Sequence, residues 1–291
     1  MKTHTKIIIF FLSLLTWPIA LPALEVVTTT SLVADWVSQI GGEAVEVQVL
    51  VPADGDPHTF EPTPQDLAAL THADLVFAHG LHLEPWLTKL YKSSGSIHPP
   101  VTLGTSAATI VVGDEIDPHV WMDVQNVIRM LEPIKSALQK ADPDNAALYE
   151  ANARTYQNRL EDLDEWITQE IQVIPNAHRT IITEHDDLSY FAQRYRFTVL
   201  GNLLESASTD TYDPSAQHFA FLLEEIKAHK VRALFTEEFQ NASLMHSLAK
   251  EAGLPPPYVL NVDALGAKGT ATDTYEKLMR SNIKTLVKAL K

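Results

Sequence analysis

The chain has 291 residues, a formal charge of −15 and no cysteine. The acidic balance argues against nucleic acid as a partner, because that demands a basic face. The missing thiols exclude disulfides, thiolate metal sites and thiol catalysis.

Residues 1–23 read as a secretory leader. Lys2 and Lys6 give a basic start, Ile7 to Leu15 an apolar core, and Pro18 to Ala23 a small-residue cleavage zone. The apolar run is too short to span a bilayer. Removing the leader takes away Lys2 and Lys6, so the charge becomes −17 on about 268 residues, enough for two ordinary domains or one large one. A lipid anchor would need a cysteine at the cleavage site, so a soluble periplasmic protein is expected. An acidic surface also draws cations toward it.

From Glu25 onward strands and helices alternate. Glu25 to Thr28 reads as a strand, and Ser31 caps a helix that ends at Gly41-Gly42. Val45 to Val51 is a β-branched run ended by Pro52. Thr63-Pro64-Gln65-Asp66 carries a cap, Pro at N1 and an acid at N3, so a helix starts there. Ala73 to Ala78 and Val101 to Leu103 read as strands around a helix near Glu84 to Tyr91. Asp142-Pro143 opens a long helical pattern in which Tyr156, Leu160, Leu163, Ile167, Ile171 and Ile174 share one face. Pro175 ends it, and about 30 residues make a strut of roughly 45 Å. Beyond it, strands are expected at Thr180 to Thr183, Phe197 to Leu200, Val231 to Thr236 and Tyr258 to Val262. Asp213-Pro214 caps a helix to about Lys230, and Thr272 begins a terminal helix. Such alternation predicts mainly parallel α/β sheets.

The tripeptide Asp-Pro-His occurs twice, at Asp56-Pro57-His58 and Asp117-Pro118-His119. Each copy lies in a loop, where proline restricts the backbone before the histidine. Two such histidines suggest one metal site built from distant loops. His185 and Asp263, each just past a strand, are the other candidates. His185 could instead be a salt-bridged surface histidine, and Asp263 a turn former before Gly266. Three imidazoles and a carboxylate suit a borderline divalent ion, and four protein donors favour binding over catalysis. Asp56 and Asp117 are second-layer acceptors or turn residues. His79 and His82 form a weaker pair. His72, His98, His178, His218, His229 and His246 read as structural or surface groups. Glu237-Glu238 reads as a helix cap, or as a spare carboxylate ligand. No G-x-S-x-G elbow, phosphate loop, dinucleotide glycine pattern or His-Glu-x-x-His motif is present.

Three segments carry a family resemblance: Val51 to Pro64 around the first Asp-Pro-His, Gly80-Leu81-His82-Leu83-Glu84-Pro85-Trp86-Leu87, and Asp117-Pro118-His119-Val120-Trp121-Met122-Asp123. His185 to Ala192, Phe235-Thr236-Glu237 and Asp263-Ala264-Leu265-Gly266 extend it over nearly the whole mature chain. With these the chain resembles the metal-binding receptors of ABC importers for zinc and manganese. The resemblance implies two α/β lobes joined by one rigid helix, with a metal in the cleft held by His58, His119, His185 and Asp263. The expected division is 24–142 for the N-terminal lobe, 143–175 for the linking helix and 176–291 for the C-terminal lobe. The implied partner is a membrane permease driven by an ATPase, with a periplasmic metallochaperone as a further partner and a monomeric receptor.

Two departures bear on the ion. Many zinc receptors carry a His-rich loop before the second Asp-Pro-His, and here Thr105 to Asp117 is short and has none. Manganese receptors usually carry Glu at the third position, where this chain has His185. Zinc (Zn2+) is favoured over manganese (Mn2+), with iron a lesser alternative. The rival from a different class is a periplasmic zinc-dependent hydrolase with Glu184 or Glu237 as general base.

Overall fold

The computed structural model describes residues 23–112, 115–204, 214–237 and 242–291. The leader up to residue 22, the expected cap Asp213 and Glu238 lie outside the described residues.

Strand β1 (Leu24–Thr28) leads into α1 (Ser31–Gly41), whose first turn is capped by Thr30, one residue before the expected Ser31. The β-branched β2 (Val45–Val49), then α2 (Pro64–His72), β3 (Leu75–Ala78), α3 (Leu87–Ser94) and β4 (Val101–Thr102) follow. Helix α2 begins as its sequence dictates. The Thr63 hydroxyl accepts the Asp66 N–H, the Asp66 carboxylate accepts the Thr63 N–H, and Pro64 fills the first turn. Such a cap is worth about 1 kcal/mol. The four strands make one parallel sheet in the order β2-β1-β3-β4. The winding reverses between β1 and β3, and open sheets of this kind bind ligands beyond the strand C-termini at such a point.

Two features of this first half were not anticipated, and neither were the helices Ser189–Tyr195 and Ser243–Ala252 of the second. One is an antiparallel hairpin of β5 (Val111–Val112) and β6 (Glu115–Ile116), whose second strand ends at the second Asp-Pro-His. The other is α4 (Val124–Ala141), capped by Asp123. Its Val127, Met130, Leu131, Ile134 and Leu138 form a buried helical stripe. Pro133 sits inside it, where proline ordinarily breaks a helix, and so hides the pattern.

The linking helix appears as α5 (Ala146–Glu170), with a 3-10 turn before it (Pro143–Asn145) and another after it (Ile171–Val173). Its 25 residues span about 38 Å. Every residue of the expected apolar face, Tyr156 through Ile174, is buried.

The second lobe holds β7 (Thr180–Thr183), α6 (Ser189–Tyr195), β8 (Thr198–Asn202), α7 (Ala216–His229), β9 (Phe235–Glu237), α8 (Ser243–Ala252), β10 (Tyr258–Leu260) and α9 (Tyr275–Leu290). Here β7 pairs with β8 and β9 with β10, both in parallel, and β9 packs beside β7. One apolar cluster runs through both lobes and the helix between them. It includes Val26, Trp36 and Phe77 on one side, Tyr156 and Leu160 in α5, and Ile181, Phe235 and Tyr275 on the other. A wide hinge motion would expose this shared core at about 25 cal/mol per Å2.

Candidate metal centre

Each lobe offers two polar side chains from loops at or beyond its strand C-termini. His58 lies between β2 and α2. The Asp56 carboxylate accepts the His58 N–H at 2.8 Å and the Thr59 hydroxyl at 3.0 Å, and the Trp86 indole N–H donates to the Pro57 carbonyl at 2.8 Å. His119 follows β6. Asp117 Oδ1 accepts both its backbone N–H, at 2.9 Å, and its ring Nδ1–H, at 2.7 Å. The Tyr190 hydroxyl donates to the Asp117 carbonyl, and the His79 ring Nε2–H donates to the Pro118 carbonyl at 2.8 Å.

His185 follows β7, with the Thr183 hydroxyl donating to its carbonyl at 2.6 Å. Asp263 follows β10 in a loop pinned at both ends. The Trp121 indole donates to the Val262 carbonyl at 2.9 Å, and the Leu265 N–H donates to Ser31 Oγ at 2.9 Å. Trp121 stands two residues after His119, so one short segment sets a donor in the first lobe and clamps the loop of a donor in the second.

These four side chains converge. His58 is 5% exposed, Asp263 1%, and His119 and His185 are fully enclosed. The Nε2 atoms of His58 and His185 each stand 3.5 Å from Asp263 Oδ2, and His119 Nε2 stands 3.3 Å from Asp263 Oδ1. The two lobes meet at His119 Nε2 and His185 Nε2, 3.3 Å apart. One donor atom from each of the four residues lies within 4.8 Å of every other. Both Asp263 oxygens and His58 Nε2 have no hydrogen-bond partner. A buried polar atom left unsatisfied costs about 1–3 kcal/mol, so three around one point call for a cation. The donor set suits zinc, manganese or iron(II).

The charges agree with that reading. Burial alone would lower the His119 pKa, but the Asp263 charge and the Asp117 hydrogen bond outweigh it and lift it well above the ordinary value. His185 is raised too, with the Asp187 and Asp263 carboxylates overcoming its burial. Burial would raise Asp263, yet the three imidazoles hold it well below the usual carboxylate range. Asp263 is thereby kept ionised at the centre of the three imidazoles.

Other candidate residues lie elsewhere or do other work. His79 is buried, and burial pushes its pKa down to about 4. Its ring packs edge-on against Trp121 with centroids 4.7 Å apart, so it supports the second Asp-Pro-His loop. His82 is exposed at a positive φ of 66° and does not pair with it. His178, His218 and His229 bond to the Leu290 carbonyl, the Asn202 carbonyl and Glu225. Glu237 is not the exposed helix cap its position suggested. It is 3% exposed and lies beside His185 and Asp187. Burial raises its pKa well above the ordinary value, with the Asp263 and Asp187 charges adding, and burial pushes Asp187 up to about 6. Glu184, the other suggested base, is buried and accepts the Thr236 hydroxyl at 2.6 Å. Sequence reasoning also missed Trp121 and Tyr190 as supports. Their only signal was an aromatic residue close after a proposed ligand.

Comparison with known proteins identifies the family. The family model described as the periplasmic component A of the zinc-uptake complex matches residues 26–289. The manganese-binding lipoprotein MntA of Bacillus subtilis is 33% identical, over 92% of this chain and 90% of the relative. MntA of Halalkalibacterium halodurans is 32% identical, over 92% and 88%. Among solved structures, the periplasmic zinc-binding protein TroA of Treponema pallidum superposes with a TM-score of 0.85 at 29% identity, covering 92% of this chain and 99% of TroA. A manganese-bound periplasmic metal-binding protein (S38A mutant) from Candidatus Liberibacter asiaticus reaches 0.83 at 27% identity, covering 91% and 99%. With a family match across nearly all the described fold, the chain belongs to the solute-binding proteins of metal ABC transporters.

Proposed function

We propose that the protein captures one divalent transition metal in the cleft through His58, His119, His185 and Asp263 and delivers it to an ABC permease. The observation that carries this reading is the convergence of three Nε2 atoms on a buried carboxylate that nothing else satisfies. The lobes are assigned to 24–142 and 176–291, with 143–175 as the linking helix. Zinc is the preferred cargo over manganese, because three of the four donors are imidazoles. The relatives' names point to both ions, so the choice rests on the donors. The leader-like residues 1–23 support a periplasmic location, and the receptor acts as a monomer that a periplasmic metallochaperone can load.

Capture and release follow from the site. In the ion-free state His119 and Asp263 attract each other as a charged pair. The arriving ion displaces the ring protons and takes over the Asp263 charge. The shared core limits lobe rotation, so release depends on loop and small lobe shifts.

Elemental analysis tests the reading. The protein is stripped, offered equimolar zinc and manganese, desalted and counted by inductively coupled plasma mass spectrometry. One zinc per chain is expected. One manganese would shift the cargo to the harder ion and leave the site standing. No retained ion would overturn the reading. The variant His185→Glu should move preference toward manganese, and unchanged relative affinities would show that donor type is not the selector.

A further inference from the structure

Behind His185 lies a second group of donors that the four-residue centre does not use. His185 presents Nε2 to Asp263, while its Nδ1 faces Asp187 Oδ2 at 4.0 Å. That Nδ1, Asp187 Oδ1 and both oxygens of Glu237 are buried without a hydrogen-bond partner. One donor atom each from His185, Asp187 and Glu237 lies within 4.8 Å of the other two. Asp187 and Glu237 also line, with Thr183, Glu184 and Thr236, a crevice that is too tight to hold a water molecule. Water therefore cannot satisfy these carboxylates, and a bare cation can. All the lining residues are buried.

We infer that Asp187, Glu237 and His185 Nδ1 form a second divalent-cation station, reached from the first across the His185 ring. A neutral imidazole carries one lone pair, so His185 serves one station at a time. As the ion passes from the Nε2 side to the Nδ1 side, the ring proton passes from Nδ1 to Nε2. The second station has one imidazole and two carboxylates, a harder set than the first. It holds an ion more weakly and accepts manganese more readily relative to zinc. The inference rests on reading the first four donors as a metal centre.

The test uses the double variant His58→Ala/His119→Ala, which strips the first station and keeps all three residues of the second. It is equilibrated with zinc alone and with manganese alone, then assayed by chelator competition and elemental analysis. The expected result is one retained ion per chain, bound at least about a hundredfold more weakly than in the parent protein. Adding Glu237→Gln, or Asp187→Asn if that variant folds better by circular dichroism, should remove the residual ion. A double variant that holds no ion while the parent holds one overturns the second station and leaves the first intact. So does a residual ion insensitive to both further substitutions. Full-affinity binding by the double variant would instead overturn the first station.

Discussion

The two Asp-Pro-His loops have the same three residues and the same local turn, yet the fold fastens them differently. In both, the aspartate accepts the histidine backbone N–H, at 2.8 and 2.9 Å. In both, an aromatic N–H donates to the proline carbonyl, from Trp86 in one and His79 in the other. The difference lies in the aspartate. Asp56 is half-buried and turns its second oxygen to the Thr59 hydroxyl. Asp117 is enclosed and also grips the His119 ring through Nδ1. The tripeptide thus specifies the turn, and its surroundings decide whether the ring orientation is fixed as well. Enclosure and the ring contact give the second loop a fastening that the first lacks.

Removing the donors themselves should give the largest effect. His119→Ala and His58→Ala are each expected to weaken zinc binding on the order of a thousandfold, about 4 kcal/mol, in chelator competition, with His119→Ala the worse. Equal wild-type affinity in either would remove that loop from the site. A larger loss at His58 would reverse the ranking of the loops.

Next come the aspartates, which separate the loops most cleanly. Asp117→Asn keeps the size and the backbone turn but no longer sets the His119 tautomer, so affinity should fall about 10–100-fold. Asp56→Asn can still accept the backbone N–H and should lose less than about threefold, since side-chain amides make the same turn. Equal losses would mean that the ring contact contributes nothing beyond the turn.

A pH series follows, with a sign that depends on the state measured. His119 and His185 have raised pKa values in the ion-free fold. Metal must displace their protons, so affinity should begin to fall above pH 6.5, by about tenfold per pH unit for each displaced proton. Ion-free stability runs the other way. A raised folded pKa contributes stability that is fully present below the unfolded value near 6.5 and is lost as pH rises through the folded value. Between pH 8.5 and 6.5 the ion-free melting temperature should therefore rise while the increment from added zinc shrinks. The depressed Asp263 acts at the acid end. Its contribution is present above its unfolded value near 3.8 and disappears as pH falls through the lower folded one. A zinc increment unchanged from pH 8.5 to 5.5 would exclude imidazole donors.

Much of this was legible in the chain, because the strong signals are local. The capping box at Thr63, the β-branched strands and the apolar face from Tyr156 to Ile174 each depend on near neighbours. Helix α4 was missed because Pro133 contradicts an otherwise regular stripe that tertiary packing enforces. At the site, the repeated tripeptide marked His58 and His119. Asp263 had no comparable mark, and neither had Asp187 or Glu237. Their positions depend on which strands become neighbours, and β7 lying close to β9 is a proximity the sequence does not advertise. Glu237 shows the limit most clearly. An acid at a strand end reads as a cap, and only the folded lobe buries it beside another carboxylate.

The smallest expected effect tests the parallel between the loops. Trp86→Phe keeps an aromatic ring against Phe60, whose centroid lies 4.9 Å away, but removes the N–H that holds the Pro57 carbonyl. That carbonyl sits at a half-buried contact, so the stability loss should be about 1 kcal/mol, read from denaturant midpoints. His79→Phe removes the matching donor from the Pro118 carbonyl, which keeps the Val120 N–H at 2.7 Å, so the stability loss there should be no more than about 1 kcal/mol. If the loops are fastened as described, His79→Phe should also weaken zinc binding more than Trp86→Phe, because it frees the loop whose ring is otherwise locked. A greater loss of affinity in Trp86→Phe would show that the first loop, and not the more enclosed second one, sets the precision of the site.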